Sequence, residues 1–306
     1  MLKKIIFMGT SVFAVKILKS LYQNGYPIAT VYTQAPKKSN RGMRVTKSPV
    51  HSISETLSLE VRTPVTLKNN QEEYEYLKNI DADMCLVIAY GQIIPESFLN
   101  LTKKGFINIH ASLLPKYRGA APIQRAIMNL EKKTGISIMK INSQLDEGPV
   151  CKSYEIDIDE KDSSDDLSEK LSDLAVEKIL DDIDDILDDK AKFRDQDHSK
   201  ATYAKKINKK ESSIDWNTPA KSVIAKINGL NGAHFIFQGA RYKILKAELN
   251  NLSGKPGEII GDSLEIACKE KSIKVMMIQR EGKKPQKTAE FLLGSQIKKG
   301  LFLSNV

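Results

Sequence analysis

Asn108, His110 and Asp146 are the residues whose types and spacing best suit chemistry. Asn108 and His110 lie two apart in the apolar run 106–110 (FINIH), which reads as a short buried strand. Side chains alternate faces along a strand, so the amide and the imidazole point the same way. Asp146 lies in the loop after a second apolar run, 135–141. An amide N–H and an imidazole can donate to an oxygen on which charge develops, and a carboxylate or imidazole can carry a proton. Singly each piece is weak: an Asn-x-His on a strand more often satisfies a buried hydrogen bond, and a lone loop Asp is usually a turn or cap residue. Together, at the ends of two neighbouring strands of an open α/β sheet, they mark a ligand site. Ser112 has no G-x-S-x-G context, so it is not read as a nucleophile.

The elements that must position this set can be read outward from it. A strand at 3–8 turns at Gly9-Thr10-Ser11 into a helix reaching about 24, with Thr10 or Ser11 as its cap. GxGxxG and the P-loop lysine are missing, which argues against a dinucleotide or ATP. A second strand covers 28–33. Residues 34–50 have loop composition and carry Lys37, Lys38, Arg41, Arg44 and Lys47 with no acid among them. Such runs are usually solvated, but loops after strand C-termini line the site in α/β folds, so this is a candidate cationic finger. Helical patterns occupy 50–57 and 71–79, and 82–89 reads as a central strand. Residues 90–95 lead from it into another short helix, and Gly91 allows backbone to approach a ligand. A turn with Pro115 and Gly119 precedes a helix from Pro122, and 150–158 alternates as an antiparallel edge strand. In 163–190, Leu167, Leu171, Leu174, Ile179, Ile183 and Ile186 recur near helical spacing. The Asp pairs at 181–182, 184–185 and 188–189 lack the glycine and terminal Glu of a calcium loop, so they read as a solvated helix face.

Residues 191–207 are polar and aperiodic, a linker between a catalytic α/β domain at 1–190 and a second domain at 208–306. The second unit opens on Ile214-Asp215-Trp216 and a short helix at 219–228. Closely spaced apolar runs follow, the pattern of a small β-barrel. A length of 306 residues suits two domains. Residues 201–306 hold 19 Lys/Arg and 9 Asp/Glu, a net +10, while the rest of the chain is at −1. That split fits a polyanionic partner and equally a lysine-rich solvated surface; charge alone leaves the two even. Cys85, Cys151 and Cys268 are odd in number and far apart, which points away from disulfides and zinc and toward a reducing compartment. With no signal-peptide core and no run of membrane-span length, a cytoplasmic location is expected.

The motifs 108–115 (NIHASLLP), Arg118-Gly119 and 145–149 (LDEGP) resemble the signature of the folate-dependent formyltransferases, and 117–124 (YRGAAPIQ) is most similar to their methionyl-tRNA branch. The resemblance extends to Met8-Gly9-Thr10, 90–95 (YGQIIP) and 214–216, and is loose after about 220. It implies a Rossmann-like formyltransferase domain with a mostly parallel sheet, then an OB-like C-terminal domain for tRNA. It implies 10-formyltetrahydrofolate as donor without a metal, initiator methionyl-tRNA as acceptor, and a monomer. Carried onto this chain, it makes Asn108, His110 and Asp146 catalytic. Tyr90, Gly91, Ile93, Ile94, Pro95, Ser112, Leu113, Leu114 and Pro115 would line the donor site. Lys37, Lys38, Arg41, Arg44 and Lys47 would form a basic insertion against the acceptor end. Many relatives are proline-rich at 228–234, where this chain has Gly229 and Gly232, so the approach from helix to barrel stays open. Other readings are transfer to a small amine (glycinamide ribonucleotide or an amino-sugar nucleotide), hydrolysis of formyl-folate, and non-catalytic nucleic-acid binding. The basic loop and basic C-terminal half favour tRNA.

Overall fold

The computed structural model describes residues 3–39 and 44–303. It divides into two compact units: 1–120, 134–156 and 168–204 form the first, and 121–133, 157–167 and 205–306 the second. In chain order the elements are β1 (Ile5–Gly9), α1 (Val12–Gln23), β2 (Ile28–Tyr32), β3 (Lys37–Ser39), β4 (Arg44–Thr46), α2 (Pro49–Thr56), β5 (Val61–Arg62), α3 (Gln71–Ile80), β6 (Met84–Ile88), β7 (Phe106–His110), α4 (Pro122–Met128), β8 (Lys133–Lys140), β9 (Val150–Asp157) and α5 (Ser164–Leu187). They continue with α6 (Ala220–Gly229), β10 (Ala233–Phe237), β11 (Ala240–Asn250), β12 (Glu265–Ala267), β13 (Ser272–Arg280), β14 (Gln286–Lys287) and α7 (Thr288–Leu292).

In the first unit a seven-stranded sheet runs β5-β2-β1-β6-β7-β8-β9. The first five strands are parallel. Every residue of β1 and β6 is buried, which is why both read as unbroken apolar runs rather than alternating ones. Phe13, Ala14, Ile17, Leu18 and Leu21 make the buried stripe of α1. Ser11 occupies the N-cap position of α1, but its hydroxyl makes no capping bond, and Thr10 points elsewhere. By contrast Ser48 caps α2 by accepting from His51 N–H, with Pro49 in the first turn.

Two local features differ from what composition suggests. The basic stretch after β2 is a two-stranded antiparallel ribbon, pairing Lys37 with Thr46 and Lys38 with Val45. Strands of three residues carry no readable alternation, so only their loop-like composition shows in the sequence. Asp182 of α5 is not on a solvated face: it is 3% exposed and accepts the Tyr154 hydroxyl at 2.9 Å. Burial raises its carboxyl above the usual range.

The second unit holds an antiparallel curled sheet ordered β10-β11-β13-β12, with β14 on β13. Its core centres on Trp216, Phe235, Tyr242 and Phe291, with the Phe235 and Tyr242 rings stacked at 5.5 Å. The glycines at 228–234 have a packing reason. A Cβ on Gly229 would stand 2.7 Å from Met128 Cγ, so the missing side chain lets α6 lie against α4. No helix of the described residues is long and apolar enough to cross a membrane.

Candidate active site

The chain runs outward from β1 through β2 to β5, then crosses to β6 and β7 on the other side of β1. This reversal opens a crevice at the C-terminal ends of β1 and β6, where ligands bind in open α/β sheets. The loops there are tied together. Thr10 Oγ1 donates to Tyr90 O at 2.8 Å, and Gln34 Nε2 donates to Tyr90 O and Gly91 O at 3.2 and 2.9 Å.

β7 ends at His110 on the same edge, since Val87 of β6 pairs in parallel with Asn108. β8 runs antiparallel to β7, with Ile107 opposite Lys140 and His110 opposite Ser137. The C-terminal end of β8 therefore lies beside the start of β7, not beside His110. The loop 141–149 carries Asp146 back, and Asp146 sits in the left-handed region at φ 51°. Its Oδ2 comes to 3.6 Å from His110 Nδ1 and accepts Gly119 N–H at 2.7 Å. Gly119 has φ 115°, and a Cβ there would stand 2.9 Å from Ala204 O, so a side chain at this donor would be both strained and crowded. His110 is buried, and its Nε2 faces Tyr117 O at 2.9 Å. A carbonyl only accepts, so Nε2 carries a proton, and Nδ1 is the nitrogen left to exchange one. Asn108 is half-buried on β7, and its amide makes no hydrogen bond among the described residues.

A polar network lies under Asp146. Arg118, 1% exposed, pairs with Glu147 at 2.9 Å and donates from Nε and Nη2 to Gln196 Oε1 at 3.1 and 2.9 Å. Gln196 Nε2 in turn donates to Asp146 O and Gly148 O, both at 2.8 Å. Thus residues 191–204 run against the first unit: Arg194 bridges Val150, and Ala204 N–H donates to Arg118 O. Sequence pattern passes over Gln196 and Arg118 as site residues. An aperiodic polar segment gives no periodicity to read, and a buried arginine looks like a surface one until its partners are known.

The residues expected to line a donor site divide by what they touch. Tyr90 and Ile94 belong to the apolar cluster with Met8 and Tyr32, so it is the Tyr90 carbonyl, not its ring, that faces the tied loops. Ser112 is spent on local structure, donating from Oγ to Lys116 O at 2.6 Å, while Ser112 O accepts from Ser137 Oγ. Leu113, Leu114 and Pro115 are half-buried in the turn after β7, and Gly91 and Pro95 lie in the loop after β6. Ile93 is 89% exposed, and Val12 and Leu145 are bare in the segments after β1 and β8. No group of three or more His, Cys, Asp or Glu able to hold a metal occurs among the described residues.

Of the basic residues, Lys37, Lys38 and Arg44 lie on the ribbon and Lys47 just beyond it; Arg41 lies outside the described residues. Lys37 donates to Gln34 Oε1 at 2.5 Å, which links the ribbon to the residue that ties the loops. Lys47 pairs with Glu55. Within the second unit a separate cleft of about 400 Å³ is lined by Lys209, Ser212, His234, Arg241, Lys243 and Glu281, among others. Burial, with Arg241 and Lys243 beside it, lowers the His234 imidazole below its usual range.

A sequence profile described as "Formyl transferase" matches residues 3–183, and one described as "Formyl transferase, C-terminal domain" matches 206–296. A methionyl-tRNA formyltransferase of Pelagibacter ubique (strain HTCC1062) is 60% identical over 310 residues, covering 100% of both chains. One of Bradyrhizobium diazoefficiens is 39% identical, covering 97% of this chain and 98% of its own. Among solved structures, an N-formyltransferase of Helicobacter canadensis with folinic acid and dTDP-3-aminofucose aligns at TM-score 0.66 and 20% identity, covering 90% of this chain and 99% of that one. HypX of Aquifex aeolicus with tetrahydrofolic acid aligns at TM-score 0.68 and 15% identity, covering 99% of this chain and 51% of that one. At these identities the two structures speak to the fold alone.

Proposed function

This chain belongs to the formyl transferase family, and we propose that Asn108, His110 and Asp146 are the residues with which it works. It transfers a formyl group to methionyl-tRNA, and its formyl donor is a folate. The observation that carries the assignment is full-length identity of 60% to a methionyl-tRNA formyltransferase. The roles of the three residues rest on their convergence at the end of β7.

10-Formyltetrahydrofolate supplies an activated formyl carbon and a nitrogen leaving group. His110, when Nδ1 carries a proton, donates it as a hydrogen bond to the formyl oxygen, where negative charge gathers as the α-amine attacks. Asn108 offers a second N–H to that oxygen, which explains an amide left without an internal partner. Asp146, held by Gly119 N–H through Oδ2, keeps Oδ1 to accept, through water, the proton shed by the amine. The tetrahedral adduct then breaks its bond to the folate nitrogen, which leaves with a proton from His110 or a water. An α-amine has a pKa of about 8, so much of it is neutral near physiological pH and needs no strong base. The half-buried turn 113–115 and the loop 90–95 form the donor wall, and Lys37, Lys38, Arg41, Arg44 and Lys47 place the acceptor end. Residues 208–306, after the 191–207 segment, hold the tRNA body. The cleft with Lys209, Arg241 and Lys243 supports this, as a place where phosphates would be neutralised. We place the protein in the cytoplasm as a monomer acting on the initiator methionyl-tRNA.

The test is direct. Purified protein with 10-formyltetrahydrofolate and methionyl-tRNA should yield N-formylmethionyl-tRNA, and an amino-sugar nucleotide should not compete as acceptor. Formyl transfer to the sugar with none to tRNA would overturn the reading.

A further inference from the structure

We infer that Gln196 is a positioning residue for the reaction: its side-chain amide holds the backbone on both sides of Glu147 so that the Asp146 carboxylate stays in register with His110. This rests on the assignment of Asp146 above. The amide is saturated and can be placed in one orientation only. Its Oε1 faces two guanidinium N–H groups of Arg118, and its Nε2 faces the carbonyls of Asp146 and Gly148 at 2.8 Å. Turned over, it would set N–H against N–H and oxygen against two oxygens. Gln196 and Arg118 are both buried, so these bonds are not shared with solvent. Arg118 is anchored in turn by Glu147, the residue between the two held carbonyls.

Asp146 needs such a hold. It sits at φ 51°, a region a non-glycine residue occupies at a cost, and its loop must return from the far end of β8. Among the described residues its side chain has one internal hydrogen bond, from Gly119, while its backbone carbonyl is fixed by Gln196. Losing that bond frees the loop to relax toward ordinary backbone angles, and a misplacement of about 1 Å at a reacting group can cost about 100-fold in rate.

Four variants of the full-length protein test this, Gln196→Glu, Gln196→Met, Asp146→Asn and a double variant, in single-turnover assays for the transfer rate and steady-state assays for KM. Gln196→Glu keeps the size and the bonds from Arg118 but turns an oxygen on the two carbonyls. Gln196→Met keeps the volume and removes every bond. Each should lower the transfer rate about 10- to 100-fold. KM for donor and for tRNA should change less than about 3-fold, a split that general loosening of the fold would not give. The discriminating step is a double variant with Asp146→Asn. If Gln196 acts through Asp146, adding Gln196→Met to Asp146→Asn costs at most about 2-fold more, because the group to be positioned has already been removed. A full additional drop in the double variant, or Gln196→Glu within 2-fold of the parent, overturns the inference. If Asp146→Asn itself is unimpaired, the assignment of Asp146 fails instead. Should Gln196→Met not fold, the Gln196→Glu series carries the same comparison.

Discussion

His110 and Asp146 meet at 3.6 Å, close enough to be electrostatically coupled and too far for a direct hydrogen bond. Asp146→Asn, His110→Ala and Asn108→Ala should each lower kcat by at least about 100-fold, the usual consequence of removing a donor or proton carrier from a reacting centre. Circular dichroism and Tm of the Asn108 and Asp146 variants should stay near those of the parent, since Asn108 makes no internal side-chain bond among the described residues and Asp146 makes one. Folded Asp146→Asn protein with near-normal turnover would remove it from the mechanism. Leu114→Asp places a charge on the half-buried turn after β7 and should raise Kd for the folate donor about tenfold or more in calorimetry, with tRNA binding unchanged. At this scale the sequence singled out the three residues proposed for the reaction but not how they meet. Spacing aligned Asn108 with His110. It could not show that β8 runs backwards, nor that Asp146 returns through a left-handed turn held by Gln196, because loop paths leave no period.

Among the elements, strands and helices with a fully buried face were legible: β1 and β6 as apolar runs, α1 and α5 by their stripes. The 37–47 ribbon was not, since neither its length nor its composition encodes pairing. α4 was read correctly as a helix, yet its surroundings could not be: it packs with α6 in the second unit. Arg125 of α4 pairs with Glu211 at 2.5 Å, and with the Asn208 N–H this holds the Glu211 carboxyl down to about 2. A carboxyl depressed by folding adds stability that is full above its unfolded pKa, about 4.3, and is lost as pH falls through its folded value. Glu211→Gln should therefore lower Tm at pH 7, and its gap from the parent should narrow steadily between pH 5 and pH 3. A gap that stays constant would mean the pair contributes only packing. Its size will be modest, because Glu211 is about a third exposed.

For the whole molecule, the charge split and its two basic regions were visible in the sequence, but the cleft that gathers part of the second region was not. Lys209, Arg241 and Lys243 share the cleft of the second unit, and none of them has an ion-pair partner among the described residues. Lys37 lies on the ribbon of the first unit and Lys47 just beyond it. If both regions meet phosphates, tRNA affinity falls steeply with salt as condensed counterions are released. The two regions should nonetheless separate in kinetics. Lys209→Ala, Arg241→Ala and Lys243→Ala together should weaken tRNA binding and flatten the slope of log K against log salt by about one for each phosphate left without its cation. At saturating methionyl-tRNA they should leave kcat within about twofold, since holding the tRNA body affects ground state and transition state alike. Arg41→Ala should lower kcat as well as affinity, because placing the acceptor end is part of reaching the transition state, and a guanidinium can hold a phosphate with two donors. Folate binding should be unaffected by either change. If the triple variant binds tRNA as tightly as the parent and with the same salt slope, the cleft is not where the tRNA body is held.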